Sequence, residues 1–192
     1  MNIGTMTEID QCFEGARACL FKENLTPEDL MTARQGFTMA LDLIGKQEKK
    51  DPRESNIYFL LALTIHQSNF SQPGDLKKYV SCLETSSKMG NNGAKFCLAG
   101  HWFEKGRKMV ENKNLETGII YLRDYLVLAH ELSALSKEKN GIPPTKYDLH
   151  IKQMQAIEDL LAEYDADRMQ KKMQNSFHTS YRGANPPFNP HG

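Results

Sequence analysis

Residues 26–44 read TPEDLMTARQGFTMALDLI, and this stretch decides the fold class. Thr26 offers a hydroxyl to cap a helix, and Pro27 suits the first helical position, where its missing N–H would have no partner anyway. Glu28 and Asp29 set negative charge against the positive end of the helix dipole. From there Leu30, Ala33, Phe37, Ala40, Leu41 and Ile44 recur three or four apart, the spacing of one buried helix face. The helix is expected to end before Asp51-Pro52, because proline disfavours helical geometry in the residue ahead of it.

The same period continues in both directions, and no stretch alternates as a half-buried strand would. A first helix is expected from Thr7 to Glu23, burying Ile9, Phe13, Ala16 and Leu20. A third runs from Glu54 to Phe70 and stops at Ser71-Gln72-Pro73-Gly74. A fourth begins at Asp75 and closes at Gly90, which suits a left-handed cap. A fifth, from Asn92 to Gly106, carries Ala94, Leu98, Ala99 and Trp102. A sixth, from Leu115 to Lys139, is rich in Ile119, Ile120, Leu122, Leu126 and Ala129 and ends at Asn140-Gly141-Ile142-Pro143-Pro144. A seventh, from Thr145 to Asn175, buries Leu149, Met154, Ile157, Leu161 and Tyr164, then turns polar at Asp165. Residues 176–192, NSFHTSYRGANPPFNPHG with the preceding Asn175, shift to proline and glycine and read as an extended tail. The expected organisation is therefore one helical domain over residues 1–175 and a proline-rich tail over 176–192.

Composition narrows the function classes. The chain has 192 residues, enough for one sizeable core. Its 24 lysines and arginines balance 24 aspartates and glutamates, which leaves no long-range field to draw nucleic acid or an anionic membrane. The most apolar stretch, Ile57 to Ile65, is far short of the roughly 20 residues that span a bilayer. The start, MNIGTMTEIDQ, has neither the basic nor the apolar region of a signal peptide, so the expected location is the cytoplasm. Cys12, Cys19, Cys82 and Cys97 form no CxxC pair and read as reduced core residues.

A partial internal repeat links the third and fourth helices to the fifth and sixth. Phe59-Leu60-Leu61-Ala62 aligns with Phe96-Cys97-Leu98-Ala99, and Ile65 with Trp102; further on, Leu76, Val80 and Leu83 align with Leu115, Ile119 and Leu122. Small residues at Ala62 and Ala99 let the second helix of each pair come close, while the large ones fill the groove between pairs.

Around these positions the chain resembles the Sel1-like branch of the tetratricopeptide-repeat superfamily. Ser86-Ser87 stand in the family's double-alanine place, Gly90 at its glycine, Ala94 at its alanine, Leu98 at its leucine and Trp102 at its aromatic. Ala99 stands where the family has glycine, Gly106 falls one residue late, and Tyr79 occupies a place usually small, which Gly118 of the next unit fits better. Good correspondence covers residues 79–106, with weaker echoes from Thr26 to Leu132. The resemblance implies an all-α fold of antiparallel helix pairs stacked as a short solenoid, closed by a C-terminal capping helix. It also implies a non-catalytic adaptor or scaffold that presents a groove to a peptide or helix of another protein within a multiprotein complex. By analogy, such small helical adaptors include components and chaperones of bacterial secretion systems and proteins delivered into host cells.

Candidate binding residues follow from chemistry. Trp102, the sole tryptophan, is the residue type most often found as a binding anchor, set against its alternative role in inter-helix packing. Lys105, Arg107, Lys108 and Lys113, expected in the loop between the fifth and sixth helices, suit an acidic partner or plain solvation. In the tail, Phe177, Tyr181 and Phe188 have no expected helix on which to bury themselves, and Tyr181 and Phe188 are the aromatics assigned to a partner. The competing reading is a small helical enzyme or metal-dependent regulator: Cys97 and His101 stand four apart and offer half a metal site, with Cys82 and His130 as a second pair if the fold brings them near. No phosphate-cradling glycine loop, nucleophile elbow or histidine-glutamate zinc motif is present. Acidic pairs such as Glu8 with Asp10 read as dipole complements. The expectation is no cofactor and no catalytic residue.

Overall fold

A computed structural model describes the backbone of residues 7–140 and 145–182 and the side chains of residues 7–134 and 154–173. Among the described residues the chain forms α-helices and no strand: α1 Glu8–Leu20, α2 Pro27–Ile44, α3 Glu54–Gln67, α4 Asp75–Lys88, α5 Asn92–Glu111, α6 Leu115–Asn140 and α7 Thr145–Arg182. The chain divides into two compact units, residues 1–135 and 136–192, with the boundary within α6.

The helix starts obey their capping chemistry. Thr7 and Thr26 each accept from the backbone N–H three residues on, at 3.2 Å, while Asp10 and Asp29 reach back to the cap's own N–H. Reciprocal caps of this kind satisfy donors that the first turn of a helix leaves unpaired. The Lys22 ammonium, and then Thr26, hold the Asp29 carboxyl down to about 2. At the end of α4, Gly90 takes φ +91°, and the N–H of Asn91 bonds the carbonyl of Ser86 at 3.1 Å, closing the helix as a glycine cap does.

In the first unit each helix packs on the next, α1 on α2, α2 on α3, α3 on α4 and α4 on α5, with short links that turn the chain back each time. This is a stack of helix pairs. The expected apolar stripes face inward: Phe37, Ile57, Leu61, Ile65 and Leu83 are fully buried. Burial of each such side chain contributes about 1.5–3 kcal/mol. The pairs come close where side chains vanish. A Cβ on Gly36 of α2 would lie 2.8 Å from the Cβ of Ala16 on α1. Between α3 and α4, Ser86 is completely buried and its hydroxyl donates to the carbonyl of Ser55 at 2.7 Å, so serine serves where a small residue is needed without leaving its oxygen unsatisfied. Ala62 and Ala99 are buried as the repeat reading requires, but its aligned pair Leu76 and Leu115 are both exposed.

Polar ties hold the frame at two points. Arg53, ahead of α3, binds Asp51 at 2.7 Å and also pairs with Asp10 of α1. Arg34 of α2 donates to Asp75 at the start of α4 across 2.7 Å, and the Asp75 side chain is 1% exposed. Between α3 and α4, Asn69 and Phe70 adopt left-handed backbone with φ 59° and 54°, so α3 ends at Gln67 and not at Phe70 as expected. The Phe70 ring lies edge-on to His66 and to Tyr79, which fixes that turn.

In the second unit α7 buries Met154, Ile157 and Leu161, while its residues from Asp165 to Met173 are exposed. The helix continues through Arg182, so residues 176–182 are helical, whereas the sequence reading made them the start of an extended tail. Residues 183–192 lie outside the described residues, and with them Phe188.

Candidate functional site: a groove over α5

α5 starts at Asn91, whose side chain accepts from the N–H of Ala94 at 3.0 Å, and runs to Glu111. Gly106 allows it to continue past its expected end, because α6 approaches there too closely for a side chain: a Cβ on Gly106 would sit 2.8 Å from Leu122 and 3.1 Å from the carbonyl oxygen of Gly118. This approach brings Trp102 of α5 flat against Tyr121 of α6, with ring centroids 5.3 Å apart and planes 11° from parallel. Lys105, one turn along α5, places its ammonium 4.3 Å from the Tyr121 ring centroid and 5.5 Å from that of Trp102. Cation–π contacts of this sort contribute about 0.5–1 kcal/mol.

The aromatic contacts extend across four helices. Tyr79 of α4 lies between His66 of α3 and His101 of α5, and His101 stands edge-on to Trp102. Burial pushes the Tyr79 hydroxyl up to about 12 and, with help from the nearby Lys105 charge, lowers the His101 imidazole below its ordinary value. The row of ring contacts fixes the height of Trp102.

Next to this row lies a groove of about 580 Å³. Lys95, Leu98 and Trp102 of α5 form its floor, Glu84, Ser87 and Lys88 of α4 one wall, and Asp124, Val127, Leu128 and Glu131 of α6 the other. Leu98 is buried, whereas Val127 is 60% exposed, a large apolar side chain on the open wall. Lys95 and Glu131 pair across the rim at 2.6 Å.

Of the residues singled out in sequence, Trp102 lines this groove, and Lys105 is brought against Trp102 and Tyr121 without lining it. Lys105, Arg107 and Lys108 are helical, contrary to the expectation of a loop, since α5 reaches Glu111; only Lys113, at φ 60°, belongs to the link. Arg107 is held by Glu104 at 3.0 Å and by Glu111, so its charge is already compensated, and neither it nor Lys108 lines the groove. Tyr181 lies in α7, with its side chain outside the described residues. Cys97 and His101 gain no further ligand: among the described residues no group of three or more histidine, cysteine or acidic side chains comes together to hold a metal. Burial pushes the Cys97 thiol up, away from the thiolate that binds metal or attacks electrophiles.

Asp124, Val127 and Leu128 were not singled out in sequence. A signal was present: Ile120, Asp124, Val127 and Glu131 recur at spacings of four, three and four, a second stripe of α6 beside the buried one through Ile119, Leu122, Leu126 and Ala129. Among the described residues no helix is long and apolar enough to cross a membrane. Compared with protein-family models, with curated proteins and with solved structures, the chain finds no match in any of the three.

Proposed function

We propose that the protein is a non-catalytic adaptor and that the groove over α5 holds a peptide or helical segment of another protein. The observation that supports this reading most is the pairing of a stacked tryptophan in the floor with an exposed valine on the wall, Trp102 and Val127, in one open groove. A partner helix laid in a groove is held by apolar anchors at helical spacing, and tryptophan is enriched among residues that dominate such interfaces. The stacked pairs supply a rigid frame, and the aromatic spine sets the anchor in place. All four cysteines are free, which suits a reducing compartment, and we place the protein in the cytoplasm as a component or chaperone of a larger assembly.

The test is capture of partners by the tagged full-length chain in its native cell, comparing wild type with Val127→Asp and Met39→Asp. Both substituted residues are exposed, so both variants keep the fold. Loss of the same partner from Val127→Asp alone supports the reading, and equal recovery by all three contradicts it.

A further inference from the structure

The charges of the groove define what kind of segment fits it. Five charged side chains line it: Glu84 and Lys88 on α4, Lys95 on α5, and Asp124 and Glu131 on α6. Lys95 and Glu131 compensate each other. Glu84 precedes Lys88 by four residues on α4, but among the described residues no ion pair joins them, so the groove carries three carboxylates against two ammoniums and is acidic by one charge. Asp124 is the carboxylate set between two exposed apolar residues of α6, Ile120 and Val127. No hydrogen bond or ion pair among the described residues reaches its carboxylate, and although the side chain is exposed, its apolar neighbours raise its pKa above the ordinary carboxylate value.

A helix laid over Asp124 would take its carboxylate out of water, a cost that a cation on that helix offsets. The position of this carboxylate is also specific. Asp124 sits between Ile120 and Val127 on the outward stripe of α6, with Ile120 57% and Val127 60% exposed. A helix packed along that stripe would oppose apolar residues to the two ends and one polar residue to the middle. Resting on the adaptor reading, we propose that the groove takes an amphipathic helical segment of another protein in which a lysine or arginine, flanked by apolar residues about one turn to either side, meets Asp124 while the apolar residues cover Val127 and Trp102. An acidic segment would bring like charge onto Asp124, and a nucleic acid would bring its phosphates there.

Trp102, as the single tryptophan, reports directly on the groove. The experiment titrates the full-length chain with helical peptides that share leucines on one face and differ at one central position, which is lysine, glutamine or glutamate, and follows tryptophan emission. The lysine peptide is expected to bind about tenfold or more tightly than the glutamate peptide, and Asp124→Asn should shrink that ratio to about twofold or less. If all peptides shift Trp102 emission with equal affinity, the groove is a docking site but the basic partner is wrong. If none shifts it, the adaptor reading itself fails at this groove. If emission instead changes with protein concentration alone, together with a doubled mass in sedimentation, the occupant is a second copy and the proposal is overturned.

Discussion

Gly106 of α5 and Gly118 of α6 meet backbone to backbone: a Cβ on Gly118 would lie 3.0 Å from the Gly106 carbonyl oxygen and 2.7 Å from a methyl of Val110. Main chain cannot step aside as a side-chain tip can. Gly118→Ala should therefore destabilise the protein by about 1–2 kcal/mol net, since overpacking of about 1–3 kcal/mol exceeds the helix-propensity gain of up to about 1 kcal/mol. Gly100→Ala, on the same pair of helices but with nothing within 4 Å of its Cβ, should stabilise by up to about 1 kcal/mol. Denaturant unfolding of both variants checks the contrast.

Arg34 and Asp75 should be the most consequential ion pair in the first unit. Their side chains are 17% and 1% exposed, so Arg34→Met would leave a buried carboxylate without its cation. The expected loss is about 3–5 kcal/mol, and Arg34→Met combined with Asp75→Asn should recover part of it. Arg34 and the N–H of Gln72 lower the Asp75 pKa from an ordinary 3.8. The unfolded chain therefore takes up that proton first on acidification. Stability from this pair is present above pH 3.8 and is lost as pH falls through the lowered native value.

His101 should make the protein less stable in mild acid. Burial, and then the Lys105 charge, lower its pKa below the ordinary 6.5, so the unfolded state binds the proton more readily than the native one. Stability is complete above about pH 6.5 and declines as pH falls from there toward the native pKa. His101→Phe keeps a ring against Tyr79 and Trp102 without a titrating group, and its melting temperature should fall less than that of wild type between pH 7.5 and 5.5.

Leu98→Asp should unfold the first unit. Leu98 is 5% exposed, and a charge placed there without a partner costs several kcal/mol. A melting temperature equal to wild type would mean that Leu98 is not the floor of the groove.

The helix starts and stops were legible because their chemistry is local: Thr26-Pro27 with Asp29, and Gly90, each act within a few residues. Lys105, Arg107 and Lys108 were misread as a loop because Gly106 looks like a helix stop, yet Gly106 is present to admit Leu122 from α6, a reason that exists only in three dimensions. The run to Arg182 was missed because prolines and glycines farther along weighed on the whole segment. Trp102 and Lys105 were legible as binding candidates from residue type. Asp124 and Val127 were not, since the groove needs α4 and α6 placed on either side of α5.

The most direct measurement places a photo-crosslinkable phenylalanine analogue at Val127 on the groove wall or at Met39 on α2, in the native cell. The expected result is a light-dependent adduct of one defined mass from position 127, none of that mass from position 39, and its loss when Asp124→Arg puts a cation where the partner's would sit. The same adducts from both positions, or none from position 127, would contradict a partner-binding groove over α5.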